Sequence, residues 1–328
     1  MLSPSFSLIS FRLSALFCAS LLLGAGCSSG PGAGNSASTV AASPAAPQPA
    51  DDAPPASQTG GFDGSKALAH VARLTAIGTR QAGTPGIVKA QDYILAELKS
   101  YGCAIDTDDF HADTPAGSLP MKNIVAKIPG ARPDIVLLAT HYDTKRLDNF
   151  VGADDGGSST GLMLELARIL CAQPGKDTVW IAFFDGEEAV NWQWQDPDNR
   201  YGSRQMAASM AAAGDLKRIK AFLLADIVGS KDLRIRRESF STKWLTNLVW
   251  DTAKRLGYSK IFVGDSSPIE DDHQSFLTRG VPCVDVIDLE IPYWHTTQDT
   301  LDKLSARSLA IVGHVFLESV HELQRKSR

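Results

Sequence analysis

The chain is poor in cysteine and has no Cys-x-x-Cys pair. Cys18, Cys27, Cys103, Cys171 and Cys283 stand far apart, which argues against a cysteine-ligated zinc site. Runs of lysine and arginine are also missing, and the formal net charge is −5. No nucleic-acid partner is expected on that balance. The most apolar stretch near the N-terminus, Phe11 to Leu23, is shorter than the roughly 20 residues a spanning helix needs. Internal repeats are absent. What is present is ordinary for a globular protein: 328 residues, 44% hydrophobic and 21% charged, enough for one large domain or two.

Charge is scarcest at the N-terminus, where Arg12 is the only charged residue among the first fifty. The apolar stretch around it runs into Gly24-Ala25-Gly26-Cys27-Ser28-Ser29, which reads as an export signal over residues 1–26. The segment also resembles a bacterial lipoprotein signal, in which Cys27 becomes the lipidated N-terminus, although Gly24 stands where leucine is usual. Export follows from this reading, to the periplasm or to a membrane-anchored lipoprotein of a bacterium. Residues 27–60 are rich in Gly, Ser, Ala and Pro. They have too little apolar area to offset the ordering of their backbone, and read as a flexible tether. Residues 61–328 are then expected to form a single catalytic α/β domain.

Within that domain the pattern alternates. Ser65 is placed to cap a helix carrying Leu68, Val71 and Leu74 at helical spacing. A second helix is expected from Pro85 to Ser100, with Gly102 in the left-handed position past its end. Strands follow at 104–110, 123–128 and 135–140, a helix at 159–171, and the continuous apolar strand Val179–Phe184. Tyr201 opens an alanine-rich helix, Ala221–Ala225 is a further strand, and a helix covers about 241–256. Asp271-Asp272-His273 starts a short helix, 282–287 is the last strand, and a helix closes the chain over about 305–323. Strands alternating with helices predict a three-layer α/β/α fold around a mixed, mostly parallel twisted sheet.

Three apolar strands end at acids or histidine: His141 and Asp143, Glu187 and Glu188, and Asp226. Ligands of an open α/β sheet bind outside the carboxyl ends of its strands, so these residues can converge on one edge. Asp155, at the start of the following helix, and His295, after the last strand, belong to the same edge. Carboxylates and imidazoles without thiolates suit Zn²⁺ or a similar divalent ion. In the Glu187-Glu188 pair, one side chain can bind metal while its neighbour handles a proton.

These motifs resemble the zinc aminopeptidase-like clan and, within it, the animal-type glutaminyl-peptide cyclotransferases. The resemblance covers roughly Leu68 to the C-terminus. It rests on Ala139 to Lys145 (Ala-Thr-His-Tyr-Asp-Thr-Lys), Val151 to Asp155, Phe183 to Ala189, Tyr201 to Arg204, Glu270 to His273 and Trp294 to Thr296. It implies a zinc-aminopeptidase-like fold with Asp155, Glu188 and His295 as ligands of one zinc. It makes Glu187 the general acid/base, with Asp226 and Asp271 as its proton-network partners. Trp192 and Trp294 would line a pocket for an N-terminal glutamine. Peptides or proteins with that terminus are then the substrates, closed to pyroglutamate with release of ammonia.

The main rival is a di-zinc aminopeptidase of the same clan. Its second metal would use His141, Asp155 and Asp226, all retained here, with His141 and Asp143 as second-metal or supporting residues. A non-catalytic peptide-binding lipoprotein is a lesser alternative, disfavoured by the intact Glu187 and ligand set. Asp271 in place of serine, Trp294 and the tryptophan-bearing insertion favour the cyclase. The cysteine pair of vertebrate cyclases aligns with Thr140 and Thr160, and a pocket phenylalanine with Ile291. Trp194 is open between core and pocket. His273 is expected to support its loop, His314 and His321 to pack or face solvent. Cys103, Cys171 and Cys283 read as small buried hydrophobes, with a bridge between two of them left open. The oligomeric state, monomer or dimer, is also left open.

Overall fold

The computed structural model describes residues 52–326. The expected export signal, Cys27 and most of the tether lie outside the described residues. Ahead of Gly61 a 3-10 turn, Ala56–Gln58, leads into Thr59 and Phe62, both fully buried. Helix α1 (Gly64–Ile77) is capped by Asp63 rather than by Ser65. The Asp63 carboxylate accepts the backbone N–H groups of Ser65 (2.9 Å) and Lys66 (3.3 Å), and a negative cap also complements the helix dipole. Helix α2 (Pro85–Ser100) begins and ends as the sequence predicts, with Gly102 at φ 72°.

The remaining elements are β1 (Ala104–Thr114), β2 (Gly117–Ile128), β3 (Arg132–His141), α3 (Gly157–Ala172), β4 (Asp177–Phe184), α4 (Tyr201–Ala213), β5 (Ile219–Asp226), β6 (Ile235–Glu238), α5 (Lys243–Arg255), β7 (Phe262–Ser267), α6 (Gln274–Leu277), β8 (Cys283–Ile287) and α7 (Ala306–Arg325). The main sheet has the order β1-β2-β4-β3-β5-β8. Strands β3, β4, β5 and β8 run parallel, and the β1–β2 hairpin joins them through β2, which is antiparallel to β4. The expected mixed, mostly parallel sheet is thus observed.

The apolar runs lack alternation because both faces of the sheet are covered. Along β3, Val136 and Leu138 pack with α1, α3 and α7. Ile135, Leu137 and Ala139 face Met206 and Met210 of α4 and Phe276 of α6. Each fully buried aliphatic side chain contributes about 1.5–3 kcal/mol, so the central strands are held from two sides.

Two features depart from the sequence reading. The hairpin extends past Phe110 to Thr114 and restarts at Gly117, because cross-strand pairs such as Ala112 with Leu119 continue the ladder beyond its apolar part. Its outer strand carries Asp106, Asp108, Asp109 and Asp113, charges that discourage pairing of an open edge. Strands β6 and β7 form a separate two-stranded parallel sheet that no apolar run announces. The question of the cysteines is also answered: Cys103 and Cys171 form a disulfide, and Cys283 is a buried free thiol. The bridge ties the entry to β1 to the C-terminal end of α3.

Candidate functional site

The carboxyl ends of the parallel strands bring the expected residues together. Glu187 and Glu188 follow β4, Asp226 ends β5, His141 ends β3, and Asp155 precedes α3; all are at least nine-tenths buried. His295 Nε2 lies 3.1 Å from Glu188 Oε1 and 3.2 Å from Asp155 Oδ2. His141 Nε2 lies 3.1 Å from Asp226 Oδ1 and 3.4 Å from Asp155 Oδ1. Two potential ligand groups result, Asp155/Glu188/His295 and His141/Asp155/Asp226, each with its donor atoms within 4.8 Å of one another. They share Asp155.

Asp143 has a different part. Its two oxygens accept the backbone N–H groups of Glu187 (3.0 Å) and Glu188 (3.3 Å), so it orients the acid pair from behind, as a supporting residue. Gly156 makes room for this arrangement. It sits at φ 72°, and a Cβ there would come within 2.8 Å of the Asp143 carbonyl and the His141 ring. Ile227 and His295 are also left-handed, at φ 46° and 50°. Such strain in non-glycine residues persists only where the surroundings enforce it, and clusters at functional sites.

Electrostatically the site is a pocket of acids. Burial works against a charged His295 ring, but Asp155 and Glu188 outweigh it and push its pKa up to about 10. Asp155 is held below the usual carboxylate range despite its burial, because His141 and His295 face it. Burial and Asp155 raise Glu188. Burial, with Asp271 and Glu188 nearby, raises Glu187 far above the ordinary glutamate range against the pull of His141. Asp271 is pushed up to about 6 by burial and Asp226. Among the described residues no well-aligned hydrogen bond reaches the buried Asp155 Oδ2, which faces His295 Nε2 at 3.2 Å, or Glu188 Oε2, which faces Lys145 Nζ at 3.6 Å. Under-bonded acceptors amid crowded acids, with nitrogen and oxygen donors only, fit a divalent cation that would displace the protons held there.

A cavity of 610 Å³ opens above this cluster. Asp155, Glu187, Glu188, Asp226, Asp271 and His295 line it together with Trp192, Trp194 and Trp294 and the apolar Pro268, Ile269, Ile287 and Leu289. Trp294 stacks on His295 at a centroid distance of 4.0 Å, and Phe150 meets the ring edge-on at 6.0 Å. Trp192 is 64% exposed, its ring centroid 6.3 Å from that of His295. Trp194 proves to line the cavity, and its indole N–H has no hydrogen-bond partner among the described residues. Ile291 is not among the residues lining this cavity; it packs with Ile227 and Tyr293.

Several residues that hold the site escaped sequence reasoning. Asp299 accepts the N–H groups of Asp154 (2.8 Å) and Asp155 (3.1 Å). Arg80, fully buried, donates to the carbonyls of Tyr142, Val151 and Gly152 and fastens the loop before Asp155. Lys145 donates to Ala189 O at 2.8 Å and lies 3.6 Å from Glu188 Oε2. Thr140 and Thr160 are tied by hydroxyl bonds to Ser159 and to the His141 carbonyl. Outside the site, His314 bonds Tyr258 and His70 bonds Tyr93 and Tyr101, both packing roles.

Three comparisons bear on this geometry. The profile of "Peptidase family M28" matches residues 123–320. The glutaminyl-peptide cyclotransferase-like protein of Bos taurus is 33% identical over 274 residues, covering 73% of this chain and 71% of that protein. The crystal structure of an Acidobacteriales bacterium glutaminyl cyclase superposes with a TM-score of 0.77 at 41% identity, covering 86% of this chain and all of that one. A Zn-dependent exopeptidase from Parabacteroides distasonis also matches, with a TM-score of 0.72 at 27% identity over 78% of this chain and 97% of its own.

Proposed function

The chain belongs to peptidase family M28, among the glutaminyl-peptide cyclotransferases, and from this we propose that it is a zinc-dependent enzyme converting N-terminal glutamine of peptides or proteins to pyroglutamate. The observation that carries the reading is the Asp155/Glu188/His295 group with Glu187 beside it, all lining a cavity that three tryptophans share. Those three side chains would hold the ion as three protein ligands, the number typical of a catalytic rather than a structural zinc. Zinc bound there would polarise the γ-carbonyl of the glutamine and stabilise the charge that develops on its oxygen.

The protein's own groups do the rest. The α-amine attacks the γ-amide carbon of the same residue, forming the C–N bond of the lactam and breaking the bond to the amide nitrogen. Glu187 accepts a proton from the amine and delivers it to the departing nitrogen, which leaves as ammonia. Glu187, buried and lining the cavity beside the ligand group, is placed for both halves of that transfer. Asp271, pushed up to about 6 by burial and by Asp226, lines the same cavity and is placed to share in the exchange. The tryptophan walls exclude water and hold the glutamine side chain folded toward its amine.

The second group, His141/Asp155/Asp226, supports the di-zinc aminopeptidase as the alternative. Incubating the zinc-loaded protein with a Gln-initiated peptide and a leucine chromogenic substrate separates the two. Ammonia and a pyroglutamyl product are expected, with about one zinc per chain; free leucine without cyclisation would reject the cyclase. The disulfide supports export to an oxidising compartment, in line with the proposed periplasmic or lipid-anchored location. Among the described residues no helix is long and apolar enough to cross a membrane.

Asp299→Asn tests the support of the metal loop. An amide cannot accept both the Asp154 and Asp155 N–H groups, so zinc affinity should fall by about 10–100-fold in a chelator competition. Unchanged affinity would reduce Asp299 to packing.

A further inference from the structure

Glu238, at the end of β6, is only 2% exposed and lies outside every motif described above. Its Oε1 accepts the N–H groups of Phe240 (2.8 Å) and Ile269 (3.2 Å). Its Oε2 accepts the N–H (2.7 Å) and hydroxyl (2.8 Å) of Ser241 and lies 3.3 Å from His273 Nε2. The other ring nitrogen of His273 faces Asp285 Oδ2 at 3.6 Å, from the middle of β8. One carboxylate therefore holds the Ile269 end of the stretch 269–273 by a hydrogen bond and faces His273 at its other end, where Gln274 Nε2 also lies 3.2 Å from the same ring nitrogen.

Between those ends the stretch carries Ile269, Glu270 and Asp271, all lining the cavity. Asp271 receives only the N–H of Asp272 on Oδ1, at 2.5 Å, and its buried Oδ2 has no partner. Its place in the cavity is set by the backbone that bears it. Burial would raise Glu238, but His273 and the surrounding donors outweigh it and lower its pKa, so the grip is that of an ionised carboxylate. Charge-assisted bonds of this kind are the stronger class.

We propose that Glu238 is a positioning residue for the cyclisation: through Ile269 N–H and His273 it holds the loop that presents Asp271 to the substrate. The inference rests on the cyclotransferase reading of the same cavity. If Glu238 acts through Asp271, its loss should be felt in turnover and should vanish once Asp271 is disabled. Groups that act as a unit give strongly non-additive losses.

The test is a double-mutant cycle on the zinc-loaded, full-length enzyme with a Gln-initiated peptide. Glu238→Gln should lower kcat by about 10–100-fold, with KM and zinc content near wild type. In an Asp271→Asn background the same change should cost less than about threefold. A reduced melting temperature with unchanged kcat, or an equal loss in both backgrounds, would overturn the proposal. Should Glu238→Gln not fold, His273→Asn removes the other half of the grip and runs through the same cycle with the same expectations. A wild-type enzyme that releases no ammonia refutes the cyclotransferase reading itself; an active one with additive losses refutes only the role of Glu238.

Discussion

Replacing Glu187 by glutamine is expected to lower turnover of a Gln-initiated peptide by about 10²–10⁴-fold, the usual worth of a positioned acid/base group, while the protein keeps its zinc. The side chains are nearly isosteric, so the cavity should retain its shape. What is lost is a proton acceptor that sits buried beside the ligand group rather than within it. Glu188, not Glu187, lies 3.1 Å from His295, and Asp143 fixes both backbone N–H groups independently of either side chain. Ammonia release and metal content, measured on the same sample, check this. A variant that lost its zinc and kept its fold would reverse the two roles.

The second large effect concerns stability. The Cys103–Cys171 bridge spans a sequence separation of 68, and the chain-entropy account of a loop that long predicts about 4 kcal/mol of stabilisation. The double replacement Cys103→Ser/Cys171→Ser should therefore move the urea midpoint substantially downward. Activity under native conditions should persist. Asp155 lies beyond the N-terminal end of α3 and Cys171 near its C-terminal end, roughly 24 Å apart at 1.5 Å per residue. An unchanged midpoint would show that the reduced chain retains enough structure to make the bridge redundant; loss of zinc would show that α3 transmits strain along its length.

The contrast with Thr140 and Thr160 is instructive. Where the family resemblance places a disulfide, this chain has two hydroxyls, each satisfied within reach of His141. The covalent tie is made instead at the other end of the same helix. Cysteine identity was visible in the sequence, but pairing needs Cα atoms within a few ångströms, and only the packing of α3 against the entry to β1 brings Cys103 and Cys171 to 5.3 Å.

The site divides in the same way. The strand-end residues His141, Glu187, Glu188 and Asp226 could be read in advance because a doubly covered parallel strand is a continuous apolar run, and its end is a local, abrupt change of composition. Asp299, Arg80 and Glu238 could not. They lie in loops or short strands without periodicity, and what they do depends on which distant backbone groups they meet. Ile291 is a related case: whether it lines the cavity or packs beneath it depends on the path of its loop, and it packs with Ile227 and Tyr293.

By itself, then, the sequence determined the alternating α/β order, the strand ends and the acid-histidine inventory, since each is written in local composition and spacing. The tertiary structure decided how that inventory is divided. It alone sets Asp143 behind the acid pair, ties Asp299 to the backbone of Asp154 and Asp155, and joins Glu238 to the N–H of Ile269. These are matters of hydrogen-bond geometry between residues far apart in the chain, and they are defined only when the sheet has closed its layers around them.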